Sequence, residues 1–184
     1  NILSNNVMMS GGGGVDIMNL TVNQVGTSGG FLNNRFALIG SSGNDRINLQ
    51  FSAVSAGGNT VDIWGGAGND TISITADATD AAFIFRFAGT TELGDWINGL
   101  TAGHNFNLSF LNAAFNGNTA AGVLTSNCFL AGTTAATAND FFIWNSANNV
   151  LYYDPDGANV TNAKTVVAMF DANVGLTHGD ITFY

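Results

Sequence analysis

Positive charge is scarce in this chain of 184 residues. Only four residues are lysine or arginine, against thirteen acidic ones, and the net charge is −9. Nucleic acids and anionic membrane surfaces both require clustered lysine and arginine, so the charge balance argues against these two partners. It favours the binding of cations instead.

Cysteine is almost absent as well. The single Cys128 excludes an intrachain disulfide framework and a cysteine-based zinc cluster. A lone thiol in the context SNCFL is more often a small buried residue than a nucleophile. No apolar run is long enough to cross a membrane as a helix, and the first residues do not read as a signal peptide. We therefore expect no transmembrane segment.

Charged residues make up only 9% of the chain, yet 46% of its residues are hydrophobic. This content is sufficient for a buried core in one domain or two small ones. The polarity comes from asparagine, threonine, serine and glycine, which suit exposed strands and turns better than surface helices.

Four glycine-rich loops recur along the first half of the chain, each followed by an aspartate. The aspartates are Asp16, Asp45, Asp70 and Asp95, with separations of 29, 25 and 25 residues, and the loops read GGGGVD, GSSGND, GGAGND and GTTELGD. The leading glycine stands five residues before the aspartate in the first three loops and six before it in the fourth. Periods of this length are typical of stacked repeats. We expect four coils, the fourth with a distorted corner.

The segments that flank the loops alternate between polar and apolar residues with period two, which predicts strands. No single coil can bury its apolar face alone, so aligned apolar columns must stack into one interior. The columns are Met9, Leu38, Ile63 and Phe87; Val7, Phe36, Val61 and Phe85; Met18, Ile47, Ile72 and Ile97; and Leu20, Leu49 and Ile74. The pattern predicts an all-β fold in which residues 1–98 form a right-handed parallel β-roll or β-solenoid. The same alignment predicts a surface ion pair of small energetic weight between Asp62 and Arg86.

The loops have the chemistry of a calcium site. Calcium takes about six to eight oxygen ligands, many of which can be backbone carbonyls. Glycine permits the turns that direct several carbonyls inward, and one aspartate per corner supplies negative charge. The candidate ligands are Gly11, Gly13, Asp16, Gly40, Ser42, Asp45, Gly65, Ala67, Asn69, Asp70 and Asp95. The alternative is a set of turns that favour glycine and aspartate and hold no metal.

The repeat spacing ends near Asn98, and residues 99–184 differ in character. The segments FFIWN and VLYYD flank residues 146–149, which predicts a hairpin, and residues 164–170 read as a further strand. We expect this half to form a β cap over the open end of the solenoid. Five aromatic side chains would close that end: Phe141, Trp144, Tyr152, Phe170 and Phe183. The turn DPDG carries an acidic pair, Asp154 and Asp156, which forms either a tight turn or a further calcium site.

Both halves resemble one known family. The form G-G-x-G-x-D of residues 65–70 and 11–16 is that of the calcium-binding repeats of RTX proteins. The second half is similar to the C-terminal region of type I-secreted bacterial RTX proteins. The matching residues are 131–135 (AGTTA), Asp140, 142–145 (FIWN), 151–154 (LYYD), Asp156 and Gly157, Leu176 and Thr177, and Asp180 and Ile181. The resemblance implies secretion through an uncleaved C-terminal signal and folding triggered by extracellular calcium. Residues 102–108 (AGHNFNL) depart from the family because asparagine replaces an acidic residue, which argues against a calcium ion there.

Signals for catalysis are weak. The segment GTSGG at residues 26–30 matches G-x-S-x-G, but a nucleophile elbow requires a helix after it, and FLNNRFALI reads as a strand. We interpret GTSGG as a glycine-rich turn. No H-E-x-x-H motif is present, His104 and His178 lie far apart, and Glu92 is the only glutamate, so zinc hydrolysis and a glutamate-pair glycosidase lack their residues. We expect no enzymatic activity.

The combined interpretation is a non-enzymatic, calcium-binding structural or assembly domain. It would form the C-terminal part of a secreted bacterial protein, extracellular or at the cell surface, similar to surface-layer proteins and adhesins. Its expected partners are calcium and either copies of itself or neighbouring domains of the same chain. An alternative is the secretion and folding tail of a larger hydrolase, a protease or lipase, whose catalytic domain lies upstream. A third hypothesis, a calcium-dependent carbohydrate binder, depends on the aromatic residues Trp64 and Trp96.

Overall fold

The computed structural model describes residues 5–23, 33–52, 58–77, 81–115, 121–159 and 161–184. Strands dominate this part of the chain, and its helical residues are confined to three short 3-10 turns, Thr90–Glu92, Ser126–Cys128 and His178–Asp180. The strands form two sheets, here called sheet I and sheet II, that face each other across one core. The predicted all-β fold is confirmed. No helix in the described part of the chain has the length and hydropathy needed to cross a membrane.

Four coils make up the first half, and each coil contributes one strand to each sheet. The strands of sheet I are β1 (Asn6–Gly13), β3 (Arg35–Ser42), β5 (Thr60–Ala67) and β7 (Ala82–Phe87). The strands of sheet II are β2 (Ile17–Asn23), β4 (Arg46–Ser52), β6 (Thr71–Thr75) and β8 (Asp95–Asn98). Neighbouring coils pair in parallel throughout both sheets. The predicted parallel β-solenoid is therefore confirmed.

The second half extends both sheets. Sheet I continues with β9 (Asn105–Phe110), β15 (Ile181–Phe183) and β10 (Gly122–Val123), in that spatial order. Sheet II continues with β14 (Thr165–Phe170), β13 (Val150–Tyr153), β12 (Phe142–Asn145) and β11 (Phe129–Ala131). Strands β12 and β13 form an antiparallel pair across residues 146–149, which confirms the predicted hairpin. The division at residue 98 stays a prediction, since sheets and core run across it.

The register agrees with the sequence alignment throughout sheet II and between β1, β3 and β5 of sheet I, and it differs only at β7. Met18, Ile47 and Ile72 stack on Ile97 as predicted. In sheet I, however, Val61 pairs with Phe83 and Ile63 with Phe85, so the predicted partners Phe85 and Phe87 are wrong by two residues. The longer fourth corner, with its 3-10 turn at Thr90–Glu92, takes up the extra residues. The shift is even, so the same side chains still point inward.

Aromatic side chains fill the junction between solenoid and cap. The ring of Phe110 lies 5.0 Å from that of Phe87 in the solenoid and 4.9 Å from that of Phe142 in the cap. Trp144 and Phe170, two of the predicted closing residues, are buried and pack edge to face. Such rings contribute strongly to a core because each removes a large apolar area from water.

Candidate metal centre

The four glycine corners lie on one edge of the solenoid, where the chain passes from sheet I to sheet II. Their aspartates stack on successive coils and are joined by hydrogen bonds. The backbone N–H of Asp16 donates to Oδ1 of Asp45 at 2.7 Å, and that of Asp45 donates to Oδ1 of Asp70 at 2.7 Å. The N–H of Asp70 in turn donates to Oδ1 of Asp95 at 3.0 Å. We call this arrangement the aspartate ladder.

The second carboxylate oxygen of three ladder members has no partner. Oδ2 of Asp16, of Asp45 and of Asp70 is buried and receives no hydrogen bond. Asp45 and Asp70 are only 2% and 1% exposed, so water does not replace the missing donors. A buried acceptor without a partner costs free energy, about 1–3 kcal/mol and more when it carries charge. The three oxygens therefore form a row of buried hydrogen-bond acceptors without donors.

The leading glycine of each of the first three corners makes room for this carboxylate. A Cβ atom at Gly65 would lie 2.2 Å from Oδ2 of Asp70, and one at Gly40 would lie 2.4 Å from Oδ2 of Asp45. At Gly11 the distance to Oδ2 of Asp16 would be 2.7 Å. These three distances are shorter than any contact that a real Cβ atom makes. The motif therefore requires glycine at this position, because the aspartate carboxylate occupies the space of a side chain.

Later glycines in the corners are required by the backbone. Gly66 and Gly68 have φ values of +96° and +133°, a region that other residues rarely adopt. A Cβ at Gly66 would also lie 2.0 Å from the carbonyl oxygen of Ser41 in the coil before. The second corner has Ser41 in place of this second glycine, and Ser41 retains a positive φ of 87°.

The predicted carbonyl ligands lie on the same edge. Gly13, Ser42 and Ala67 align in the register of β1, β3 and β5. The carbonyl oxygen of Ser42 accepts from the N–H of Gly14, and that of Ala67 from the N–H of Gly43, each at 2.8 Å. Each carbonyl keeps one further lone pair. The backbone N–H of Asn69 donates to Oδ1 of Asn44 at 3.0 Å, and its side chain is exposed.

A cleft of about 410 Å³ opens beside the corners, and Asp16, Asp45, Asn44 and Asn69 line it together with Arg46. Within the described residues, no three His, Cys, Asp or Glu side chains are grouped so that they could hold a metal. An ion at the corners would therefore need backbone carbonyls in addition to the carboxylates. This is the mixed oxygen set that calcium accepts.

The electrostatics of the ladder are unfavourable in the absence of a cation. Burial, assisted by the carboxylates of Asp45 and Glu92, raises the pKa of Asp70 to about 6, although the hydrogen bond from the N–H of Asp45 lowers it. Burial likewise raises the pKa of Asp95 well above its usual value, again with contributions from Asp70 and Glu92. The ion pairs of the described residues join Arg35 and Arg86 to Asp62, and none of them includes an aspartate of the ladder, although Arg46 lines the same cleft.

The fourth corner differs from the other three, as its longer loop predicts. Its 3-10 turn places Glu92 so that its side chain accepts from the N–H of Ala88 at 2.5 Å. A Cβ at its leading residue, Gly89, would not meet the aspartate, in contrast to the leading glycines of the other corners. Asp95 nevertheless keeps its place in the ladder and is 2% exposed.

The structure places the remaining candidate ligands, Asp154 and Asp156, in a separate turn after β13. Oδ1 of Asp154 accepts from the N–H of Asp156 at 3.4 Å, while Oδ2 of Asp156 accepts from the N–H groups of Thr161 and Asn162 at 3.1 and 3.0 Å. Burial and the neighbouring Asp156 raise the pKa of Asp154. Oδ1 of Asp156 is buried without a partner. The pair thus closes its own loop, and a metal there stays a prediction.

Sequence reasoning missed a ladder of asparagines on the opposite edge. Oδ1 of Asn34 accepts from the N–H of Asn5 at 3.0 Å, and Oδ1 of Asn59 accepts from the N–H of Asn34 at 3.1 Å. Each asparagine directly precedes β1, β3 or β5. An asparagine immediately before three successive strands was the available signal.

The predicted ion pair of Asp62 and Arg86 is confirmed, but the expected exposure is wrong. Arg86 and Arg35 each approach one carboxylate oxygen at 2.6 Å, and the Asp62 side chain is fully buried between them. The Arg86 guanidinium also lies over the rings of Trp64 and Tyr184.

The two tryptophans behind the carbohydrate hypothesis lie on different faces. Trp64 belongs to β5 in sheet I and Trp96 to β8 in sheet II, and both lie outside the shared core. They do not form one site. The GTSGG turn at residues 26–30 lies outside the described residues.

Comparison with known proteins identified no relative of this chain. No protein-family model, no curated protein and no solved structure matches the chain. The resemblance to RTX proteins therefore stays a prediction.

Proposed function

We propose that this chain is a non-enzymatic calcium-binding domain whose corners hold divalent cations. One observation carries the proposal: three stacked carboxylate oxygens, from Asp16, Asp45 and Asp70, are buried without any partner. A cation between neighbouring corners would satisfy them. It would also offset the burial, and the repulsion from Asp45 and Glu92, that together raise the pKa of Asp70.

The donor set favours calcium over other metals. The ladder and the adjoining corners offer only oxygen atoms, from carboxylates, carbonyls and asparagine side chains, and these ligands suit calcium and magnesium. Magnesium demands a strict octahedron and retains several waters, whereas calcium tolerates irregular sets of carbonyls and carboxylates. Asp45 and Asp70 with the carbonyls of Ser42 and Ala67 are the residues best placed to hold it.

The role that fits such a domain is structural. Calcium would supply positive charge to the corner edge and tie successive coils together, so folding and binding would be coupled. We place the domain at the C-terminal end of a secreted bacterial protein, extracellular or at the cell surface. That location depends on the resemblance of residues 131–157 to secreted RTX proteins. Extracellular calcium modules bind with dissociation constants of about 10⁻⁴ to 10⁻³ M, and we expect a value in this range.

Thermal unfolding of matched variants tests the proposal. Asp70→Asn keeps an oxygen for the N–H of Asp45 but replaces the unpartnered oxygen by an uncharged amide. In chelator we expect this variant to be at least as stable as wild type, because one buried charge is gone. In calcium at about 100 times the dissociation constant, wild type should gain about 3 kcal/mol and the variant clearly less.

Asp154→Asn is the control, since Asp154 is also buried and also has a raised pKa but lies outside the ladder. It should retain the calcium-dependent gain. Identical melting of wild type in calcium and in chelator would reduce the corners to ordinary turns.

A further inference from the structure

A positive charge, that of Arg46, lies beside the stacked corners. Arg46 begins β4 directly after Asp45, and the residues in register with it on the neighbouring coils are the uncharged Ile17 and Thr71. The alternation of β4 directs Arg46 outward, because the next residue, Ile47, is fully buried. The Arg46 side chain is therefore exposed on the outer face of sheet II, next to the aspartate ladder.

Arg46 has no counter-ion of its own within the described residues. The ion pairs there all converge on Asp62 in sheet I. Arg46 instead lines the cleft of about 410 Å³ beside the corners, together with Asp16 and Asp45. A cleft of this volume is about 10 Å across, which is one Debye length at about 0.1 M salt, so a charge on its wall acts on any ion inside it.

The surroundings of Arg46 are set by described residues on both sides. The corner segments of the first three coils, residues 13–17, 42–46 and 67–71, are described without a gap, and β4 lies between β2 and β6 in sheet II. The backbone N–H of Arg46 donates to the carbonyl oxygen of Asp16 at 2.9 Å, and the N–H of Thr71 donates to that of Asp45 at 2.8 Å. The stack of coils therefore fixes the backbone of Arg46 between two members of the ladder.

The ladder needs a counter-charge when no metal is bound. Oδ2 of Asp45 and of Asp70 is buried without a partner, and the two residues are only 2% and 1% exposed. Arginine stays protonated throughout the physiological pH range, so Arg46 supplies a permanent positive potential from the cleft. The same potential opposes a second cation, because a divalent ion in the cleft is attracted by the aspartates and repelled by Arg46.

We infer that Arg46 is a built-in counter-ion of the corner edge, which partly neutralises the aspartate ladder in the calcium-free chain and weakens the binding of calcium there. The inference rests on the proposed function and adds its regulation, because the arginine raises the calcium concentration at which the corners fill. For a unit charge and a divalent ion about 8 Å apart in water with about 0.1 M salt, the repulsion changes a dissociation constant about two- to fivefold.

Calorimetric titration of the whole chain with calcium chloride and thermal unfolding in chelator test the inference on Arg46→Gln, which removes the charge but keeps a polar side chain. In about 0.1 M salt this variant should bind calcium about two- to fivefold more tightly than wild type. In about 1 M salt the difference should vanish, because the Debye length is then only about 3 Å. In chelator the variant should melt about 1–3 °C lower than wild type. Arg46→Lys should restore the affinity and the melting temperature of wild type, whereas a purely structural role of Arg46 would not respond to salt.

Two added charges form a matched pair of controls. Thr71 lines the same cleft one coil further on, so Thr71→Lys should weaken calcium binding about two- to fivefold. Gln50 is exposed on the same strand as Arg46 but about 13 Å away along it, so Gln50→Lys should leave the affinity unchanged.

Equal calcium affinity of wild type and Arg46→Gln in low salt would overturn the inference, and so would an effect of Gln50→Lys as large as that of Thr71→Lys. A wild-type chain that binds no calcium would contradict the proposed function instead. In that case the unfolding curves in chelator decide alone, and equal melting of wild type and Arg46→Gln would overturn the inference as well.

Discussion

Two ladders of short polar side chains run along opposite edges of the solenoid. In both ladders, the Oδ1 atom of each side chain accepts a hydrogen bond from a backbone N–H group. On the strand-entry edge, Oδ1 of Asn34 accepts the N–H of Asn5 at 3.0 Å. On the corner edge, Oδ1 of Asp70 accepts the N–H of Asp45 at 2.7 Å. In each ladder, one side-chain oxygen joins a coil to the coil before it.

The ladders differ in the second terminal atom. Nδ2 of Asn34 donates to Oδ1 of Asn59 at 3.1 Å, so the amide provides both an acceptor and a donor within the stack. The corresponding atom of Asp70, Oδ2, is a buried acceptor with no donor. Asparagine thus completes its ladder from within, whereas aspartate leaves a charge that an external cation or a proton must balance. This difference separates an edge whose polar groups are satisfied within the chain from the edge at which we propose a cation.

The largest effect is expected from filling the space beside the carboxylate. Gly65→Ala would place a Cβ 2.2 Å from Oδ2 of Asp70 and 3.0 Å from Oδ2 of Asp95. Either the carboxylates or the coil must shift, so we expect a loss of about 3 kcal/mol or more in the free energy of unfolding. Urea denaturation in calcium measures it.

Gly89→Ala is the control for this change, because it alters the leading glycine of the distorted fourth corner. A Cβ there meets nothing closer than Oγ1 of Thr91 at 3.9 Å. Its stability should stay within about 0.5 kcal/mol of wild type. Equal losses in both variants would show that leading glycines serve the backbone and not the aspartate.

The next largest effect is expected from pH in the presence of chelator. The pKa of Asp70 is raised from 3.8 to about 6 in the folded chain, so between these values the folded state binds more protons than the unfolded state. The contribution of Asp70 to stability is therefore largest below pH 4, and it falls by about 3 kcal/mol as the pH rises through 6. Asp95, whose pKa is also raised, adds a fall of the same sign.

Unfolding curves recorded between pH 4 and 7 measure this dependence, with Asp70→Asn as the variant that should flatten it. Calcium should oppose the fall, because the ion binds the ionised carboxylate. A wild-type stability in chelator that rises across this window would contradict the electrostatic account of the ladder.

Much of the solenoid follows from the sequence because two periods coincide in it. The alternation of apolar residues predicts strands, and the spacing of Asp45, Asp70 and Asp95 predicts that their corners stack, as the ladder confirms. Both signals are repeated, so one irregular coil does not destroy them.

The features that the sequence did not predict either occur only once or involve uncharged residues. The 3-10 turn at Thr90–Glu92 changes the length of one corner, and no other coil reveals the resulting shift of Phe83 and Phe85. Asn34 and Asn59 are neutral residues in an asparagine-rich chain, so the recurrence of asparagine immediately before three strands was the one signal of their burial. The role of Arg35 at Asp62 likewise depends on contact between neighbouring coils.

Exchanging one ladder chemistry for the other should give a smaller loss than either effect above. Asn34→Asp replaces the Nδ2 donor by an oxygen that faces Oδ1 of Asn59, in a site that is 2% exposed. We expect a destabilisation of about 2 kcal/mol at pH 7, which should diminish at pH 4 when the new acid is protonated. Thermal denaturation at both pH values measures it.

Asn19→Asp is the matched control on the outer face. There Oδ1 of Asn19 only accepts from Nδ2 of Asn48 at 2.8 Å, and a carboxylate can accept equally well. Its effect should be close to zero at either pH. If Asn34→Asp were equally neutral, the amide donor would not be what separates the two ladders.

The smallest effect is a gain at the second corner, where Ser41 replaces the second glycine of the pattern. Ser41 has a φ of 87°, whereas the equivalent residue of the next coil is Gly66 with a φ of +96°. Ser41→Gly should relieve strain of about 1–2 kcal/mol, part of which is offset by the greater freedom of glycine in the unfolded chain. A net gain of about 1 kcal/mol should appear in thermal denaturation, with or without calcium. Ser42→Gly, one residue later and without a positive φ, should instead lose a few tenths of a kcal/mol or more. The same serine-to-glycine change at two adjacent residues would then alter the free energy of unfolding in opposite directions. Only the backbone conformation of the corner explains such a difference.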